Sequence, residues 1–131
     1  MKNWFGFRTE FSCAHFYRQK NWSEQKNRDV FGLCFTEYGH GHDYVLEAEF
    51  AEGAIAPEMA QEALRALRQK LDHQHLNFVI PEFREQIPTT ENILLYCTDR
   101  LQQELGKSTP MRLSLWEHPR LGARLQTIGK T

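Results

Sequence analysis

Six histidines occur in this chain of 131 residues, and the spacing of three of them suggests a metal site. His15 ends a stretch in which apolar and polar residues alternate, and His40 and His42 begin a second stretch of the same kind. Such alternation predicts half-buried β-strands, in which residues two apart lie on the same face. Consecutive strands usually pair, so an antiparallel arrangement brings the end of the first to the start of the second. The three imidazoles are therefore expected to converge at one rim of an apolar face.

Three converging imidazoles are typical of a catalytic zinc site, which uses neutral nitrogen donors and keeps a fourth position for water or substrate. Any one of these histidines alone is better explained as a packed core or rim residue. The pair His40 and His42 alone fits metal binding and chance spacing about equally well. The addition of His15 favours the metal site. The other histidines are single candidates: His73, His75 and His118.

Further side chains could supply acid–base chemistry or substrate binding. Glu117 ends an apolar strand face, where it would either turn to solvent or bind a planar amidine-like edge through two parallel hydrogen bonds. Asp72 and His73 stand together where a helix should end, as a capping pair or as a relay in which the carboxylate orients the imidazole. Cys34 precedes His40 in the loop over the site, where a nearby dication would favour its thiolate.

The elements that must position these residues form a simple series. Two alternating strands, over 5–15 and 38–50, are joined by a polar, irregular loop over 17–37. One helix begins at Pro57, and a second begins after Pro88 with Thr89 or Thr90 as its cap. Two more strands, over 111–117 and 121–128, complete the order ββααββ. We expect one α+β domain over residues 1–131: a four-stranded antiparallel sheet with two helices on one face.

Composition narrows the class of protein. The 16 Lys+Arg against 17 Asp+Glu give a formal net charge of −1, which argues against nucleic acid or a membrane surface as the partner. No apolar run reaches the roughly 18 residues of a membrane helix, so we expect a cytoplasmic protein. Three cysteines without a CxxC pair indicate free thiols, and Cys13 and Cys97 fit core positions.

Five segments in this order resemble the family of 6-pyruvoyl-tetrahydropterin and 6-carboxy-tetrahydropterin synthases: FSCAHFY, NRDVFGLCFTEYGHGHDY, LDHQHLN, PTTENI and a strand that ends in Glu117. The resemblance implies the tunnelling fold, in which four-stranded units close into a barrel. It also implies a homo-oligomer, commonly a hexamer of two trimers, with pterin sites at subunit contacts.

The resemblance also implies roles for individual residues. Cys34 would be the general base, and Asp72 with His73 the relay. Glu117 would anchor the aminopyrimidinone edge of a pterin, with Thr89 and Thr90 nearby. The zinc ligands would be His15, His40 and His42.

The activity implied is that of a lyase on 7,8-dihydroneopterin triphosphate. Zinc would bind the side-chain oxygens of this substrate and acidify the adjacent C–H bond. The product would be 6-pyruvoyl- or 6-carboxy-tetrahydropterin, in tetrahydrobiopterin-type or queuosine biosynthesis. The rival hypothesis is a non-catalytic member that binds zinc or a pterin.

Two points stay open at this stage. Glu37 lies in the same loop as Cys34, and some relatives use a glutamate there, so either residue is a candidate base. Lys26 or Arg28 could meet the triphosphate, although a solvated loop charge explains either one better.

Overall fold

The computed structural model describes residues 3–35 and 38–127, apart from the side chain of Cys34. This part of the chain contains five strands in one sheet, four α-helices and two short 3-10 helices. In chain order these elements are β1 (Trp4–His15), α1 (Glu24–Phe31), a 3-10 helix (Gly32–Cys34), β2 (His40–Ala51), α2 (Pro57–Leu71), β3 (Gln74–His75), α3 (Leu76–Val79), a second 3-10 helix (Pro81–Arg84), α4 (Thr90–Leu105), β4 (Met111–His118) and β5 (Leu121–Gln126).

The strands follow the order β3-β1-β2-β4-β5 across the sheet. The four predicted strands pair antiparallel with their neighbours, which confirms the predicted arrangement. The fifth, β3, is a two-residue strand that runs parallel to β1 beside Cys13 and Ala14. The prediction of four strands was one short, because two residues are too few to show alternation.

Helices α2 and α4 pack on one face of the sheet, as the sequence predicted. The alternation of β2 is reproduced in its burial, since Tyr44, Leu46 and Ala48 are almost fully buried and Glu47 and Glu49 are exposed. Burying one large apolar side chain contributes roughly 1.5–3 kcal/mol. The buried stripe of α2 consists of Ala60, Ala63, Leu64, Leu67 and Leu71, as predicted.

The segment predicted to be an irregular loop contains α1. Ser23 caps this helix by accepting a hydrogen bond from the Lys26 backbone N–H at 3.1 Å. The buried side chain of Asn27 accepts a hydrogen bond from the Gln19 N–H and donates to the carbonyls of Gln19 and Ser23. The helix is stabilised by its cap and by this buried amide. Because it has no apolar stripe, the hydrophobic pattern of the sequence did not predict it.

The ends of α4 follow the predicted signals. The Thr89 hydroxyl accepts a hydrogen bond from the Asn92 N–H at 3.1 Å, which makes Thr89 the cap. Gly106, with φ of 103°, ends the helix, and its N–H donates to the Gln102 carbonyl. Within residues 3–35 and 38–127, no helix is both long enough and apolar enough to cross a membrane.

Candidate metal and substrate site

The pairing of β1 with β2 brings the three histidines together. His15 lies directly opposite His40, and His42 lies opposite Cys13. Because residues at this register share the core-facing side, the three imidazoles meet at the rim of the buried face. His15 is completely buried, and His40 and His42 are partly buried. The hairpin predicted from the alternation is thus the element that builds the site.

The geometry of this triad fits a metal ion. One ligand atom from each histidine lies within 4.8 Å of the others, and Nε2 of His15 is 3.1 Å from Nε2 of His40. Two nitrogens that bind the same zinc ion in tetrahedral geometry would be about 3.3 Å apart, close to this distance. Nε2 of His42 is buried and forms no hydrogen bond with the described residues. These residues could therefore hold zinc, since a buried ring nitrogen that makes no hydrogen bond can act as a metal ligand.

Burial favours the neutral form of two members of the triad, His15 and His40. It lowers the pKa of His15 to about 3, with further lowering by the charges of His40, His42 and His75. Burial also lowers the pKa of His40, with an added contribution from His42 and an opposing one from Glu117. A neutral imidazole is the form that binds a metal ion, so the fold favours the ligating state of these side chains.

Tyr44 is a neighbour of the triad that the sequence reasoning missed. Its hydroxyl lies 3.2 Å from Nδ1 of His15, and its side chain is fully buried. When His15 offers Nε2 to a metal, Nδ1 carries the hydrogen and the Tyr44 oxygen accepts it. The signal was present in the sequence, because Tyr44 follows His42 on the same strand face.

Glu117 points into the site and not to solvent. It continues the buried face of β4 that Leu113 and Leu115 belong to, and the register of β4 with β5 shifts beside it, between Trp116 and His118. The Glu117 side chain is only 14% exposed. Its Oε1 lies 2.9 Å from Nε2 of His42, although the angle is not that of a hydrogen bond. Its Oε2 accepts a hydrogen bond from the Thr90 hydroxyl at 2.5 Å. Of the two outcomes open for this carboxylate, the structure shows the inward one.

The two threonines predicted beside Glu117 have different positions. Thr90 is buried and binds the carboxylate directly. The Thr89 side chain instead caps α4 through the Asn92 N–H. The structure therefore places the Thr90 side chain, and not that of Thr89, in contact with Glu117.

Asp72 and His73 form the predicted pair, with Nδ1 of His73 2.9 Å from Oδ2 of Asp72. Asp72 also accepts a hydrogen bond from the Ser12 N–H and pairs with Arg68 at 3.1 Å. The Ser12 hydrogen bond is the main reason that the pKa of Asp72 is lowered, with His73 and Arg68 contributing. The His73 side chain is 82% exposed and is not part of the histidine triad. The pair is formed, but at the outer edge of β1.

The two candidate bases are Cys34 and Glu37, and the structure describes only the backbone of the first. The backbone of Cys34 is in the first 3-10 helix, and its side chain is outside the described part. Glu37 lies outside the described residues altogether. The choice between the two bases therefore stays a prediction.

Two unassigned histidines have structural partners. Nε2 of His75 lies 3.1 Å from the carbonyl oxygen of Tyr38, at the point where the loop returns to β2. Next to it, Gly39 has φ of 88°, and a Cβ there would lie 2.4 Å from the His15 carbonyl oxygen. Nδ1 of His118 accepts a hydrogen bond from the Arg120 N–H. His75 thus holds the loop close to the triad, and His118 belongs to the β4–β5 turn.

The fold and the site together define an α+β protein with a three-histidine candidate metal centre and a carboxylate at the rim of its sheet. The model of the 6-pyruvoyl tetrahydropterin synthase family matches residues 6–127. The chain belongs to this family, and its fold is the tunnelling fold that the sequence predicted.

The similarity extends over most of the chain. The 6-pyruvoyl tetrahydrobiopterin synthase of Pongo abelii is 31% identical over 118 residues, which are 84% of this chain and 81% of that protein. The dihydroneopterin monophosphate aldolase of Pyrococcus furiosus is 30% identical over 127 residues, 92% of this chain and 94% of that protein. The solved structure of the Caenorhabditis elegans 6-pyruvoyl tetrahydropterin synthase superposes with a TM-score of 0.87, at 19% identity and 96% coverage of both chains.

Proposed function

We propose that this protein is a zinc-dependent lyase that converts 7,8-dihydroneopterin triphosphate to 6-pyruvoyl- or 6-carboxy-tetrahydropterin. The pathway would be tetrahydrobiopterin-type or queuosine biosynthesis, in the cytoplasm. The observation that carries the proposal is the position of Glu117, 2.9 Å from the candidate ligand His42. A metal site and a carboxylate for the pterin edge then lie within reach of one small molecule.

Zinc would be held by His15, His40 and His42, the group whose ligand atoms lie within 4.8 Å. The ion would supply Lewis acidity toward the side-chain oxygens of the substrate. The chain itself would keep the His15 imidazole neutral and orient its ring. Burial favours the neutral form of His15, and by accepting the hydrogen of Nδ1, Tyr44 would leave Nε2 to face the ion.

Glu117 would bind the aminopyrimidinone edge of the pterin through its two oxygens. In the substrate-free chain these oxygens face His42 and the Thr90 hydroxyl. Because Thr90 is buried and fixed at the start of α4, its hydrogen bond sets the direction of the carboxylate. Thr89, one residue earlier, would contribute through backbone groups.

Proton transfer would use Cys34 as the base, with Glu37 as the alternative, and the Asp72–His73 pair as the relay. The exposure of His73 supports a relay that serves the site of a neighbouring copy.

Open strand edges also support the assembly of several copies. The described part of β1 pairs with β3 only at Cys13 and Ala14, and the described part of β5 pairs only with β4. Unpaired edges are places where another copy can add a strand, in agreement with the homo-oligomer that the resemblance implies. A hexamer of two trimers stays a prediction.

The product assay tests this function. Zinc-loaded protein is incubated with 7,8-dihydroneopterin triphosphate, and products are followed by mass together with acetaldehyde detection. We expect release of triphosphate in either case, together with 6-pyruvoyl-tetrahydropterin or with acetaldehyde and 6-carboxy-tetrahydropterin. Bound pterin without turnover would establish the non-catalytic alternative instead.

A parallel incubation with dihydroneopterin monophosphate tests one further candidate. The similarity to the Pyrococcus furiosus aldolase favours it, because it covers 92% of this chain. Side-chain cleavage of the monophosphate, with the triphosphate unchanged, would replace the proposed reaction with that of an aldolase.

The base is tested by two variants. Cys34→Ala should leave zinc content and pterin binding intact and reduce turnover, with Glu37→Gln as its matched comparison. Turnover that falls only in Glu37→Gln would transfer the base role to the glutamate.

A further inference from the structure

A groove of about 570 Å³ lies on the segment that follows His15. The chain that leaves β1 forms one of its walls, and α3 with the second 3-10 helix forms the other. The residues that matter here are Phe16, Arg18, Lys20, Trp22, Phe78 and Arg84.

The groove carries a net positive charge, although the whole chain is slightly negative. It holds Arg18, Lys20 and Arg84 against Glu85, so its formal charge is 3 − 1 = +2, while the whole chain carries −1. Lys20 pairs with Glu85 at 2.9 Å. Among the described residues, neither Arg18 nor Arg84 forms an ion pair with a carboxylate. Two guanidinium groups are thus available to an anion.

The two walls are fixed relative to each other. The Asn77 side chain accepts a hydrogen bond from the Phe16 N–H at 2.9 Å and donates to the Phe16 carbonyl at 3.2 Å. It also donates to the Phe83 carbonyl at 3.4 Å, next to Arg84. The Lys20–Glu85 ion pair spans the same gap at the surface. A groove held in this way does not have to be ordered when a ligand binds, which favours affinity.

The chain segment that lines the groove also passes beside the histidine triad. Tyr17 stands between Phe16 and Arg18, and its ring centroid is 5.1 Å from that of His15 and 6.4 Å from that of His40. Arg18 is three residues from His15, so their Cα atoms are at most about 11 Å apart. An extended anionic chain attached to a molecule at the triad can therefore reach the groove.

We infer that this groove binds the triphosphate chain of the substrate, and the inference rests on the proposed function. Arg18 and Arg84 would bind phosphate oxygens through paired N–H donors. Of the two cations first considered from the sequence, Arg28 already pairs with Glu24 at 3.2 Å. Lys26 lies over the Trp22 ring at 4.5 Å, at the wall of the groove, much as Arg18 lies over the Phe35 ring at 5.6 Å. The groove is thus the triphosphate site.

Calorimetric titration with inorganic tripolyphosphate tests the groove directly. The full chain is titrated with zinc bound and again after removal of the metal, because tripolyphosphate also binds zinc. We expect binding in both forms, weakened about tenfold by Arg18→Gln or Arg84→Gln. Arg65→Gln is the matched control, since it removes the same charge from α2, where Arg65 pairs with Glu62. Absent binding, or equal weakening in all three variants, would overturn the inference.

A second titration identifies the ligand as the substrate's own tail. Dihydroneopterin triphosphate should bind more tightly than dihydroneopterin, and Arg84→Gln should remove most of that advantage. Equal affinity for both compounds would overturn the assignment of the groove to the triphosphate. This readout does not depend on turnover, so a negative product assay would refute the proposed reaction and leave the groove to be judged by binding alone.

Discussion

The hydroxyl of Tyr44 lies 3.2 Å from Nδ1 of His15, while Nε2 of the same ring faces His40 at 3.1 Å. Each ring nitrogen of this buried histidine thus has its own neighbour. The relationship links strand register to metal chemistry, because β2 supplies the tyrosine and β1 supplies the histidine. Groups that bind the second nitrogen of a ligating histidine set its tautomer and its orientation.

Tyr44→Phe should therefore weaken zinc binding about 10- to 100-fold, which is the usual effect of losing such a partner. The ring remains to stack on Phe11, whose centroid is 5.3 Å away, so the core should stay packed. Competition with a chromophoric chelator measures the affinity, and circular dichroism checks the fold. Tyr96→Phe, on α4, is the control and should bind zinc like the unaltered chain. Unchanged affinity in Tyr44→Phe would show that the hydroxyl does not orient His15.

Glu117→Gln should weaken pterin binding about tenfold or more, because an amide cannot offer two charged acceptor oxygens. Zinc content should stay at one per chain, since the three histidines carry the candidate ligand atoms. Fluorescence titration with neopterin and metal analysis measure the two properties. Glu47→Gln, on the exposed side of β2, is the matched control. Loss of zinc with unchanged pterin affinity would make Glu117 a metal-site residue instead.

The histidine triad was predictable from the sequence because period-two alternation specifies both strand and face. Once the strands over 5–15 and 38–50 pair antiparallel, His15 has to meet His40. The stripe of α2 and the Thr89 and Gly106 signals of α4 were equally local and were confirmed.

The remaining features depend on contacts between distant parts of the chain. β3 consists of two residues beside β1, and α1 depends on a buried amide, Asn27, so neither has a periodic pattern. The hydrogen bond that holds the Glu117 carboxylate comes from Thr90, on α4. The location of His73 at the edge of β1 depends on a hydrogen bond from its N–H to the Ser12 carbonyl. Spacing along the sequence contains none of this information.

Gly122→Ala should destabilise the chain by about 1–3 kcal/mol, the usual cost of overpacking. A Cβ at Gly122 would lie 2.4 Å from Cε3 of Trp116 and 2.9 Å from the Leu115 carbonyl oxygen. Because Trp116 directly precedes Glu117 on β4, pterin binding should weaken as well. Urea denaturation measures the free energy of unfolding. Leu121→Ala, at a residue 51% exposed, is the control and should change it by no more than about 0.5 kcal/mol. A fully stable Gly122→Ala variant with normal pterin affinity would contradict the role of this contact.

Cys13 and Cys97 should resist thiol reagents in the folded chain. Their side chains are 5% and 0% exposed, and burial raises the pKa of the Cys13 thiol to about 12, with the charge of Asp72 adding to it. Burial likewise raises the pKa of Cys97. Since a thiol reacts as its thiolate, labelling with a chromogenic disulfide at pH 8 should modify at most one thiol per chain, and unfolding in guanidinium should release all three.

The same pKa shift of Cys13 predicts lower stability in alkali. A folded-state pKa of about 12, against an ordinary value of 9.0, means that the unfolded chain loses its proton first as the pH rises. The contribution of this thiol is therefore complete below pH 9 and is lost between pH 9 and 12. The urea midpoint should fall between pH 8 and pH 10.5, and it should fall less steeply in Cys13→Ala. Native labelling of two thiols at pH 8, or parallel pH profiles for the two proteins, would contradict a buried and protonated Cys13.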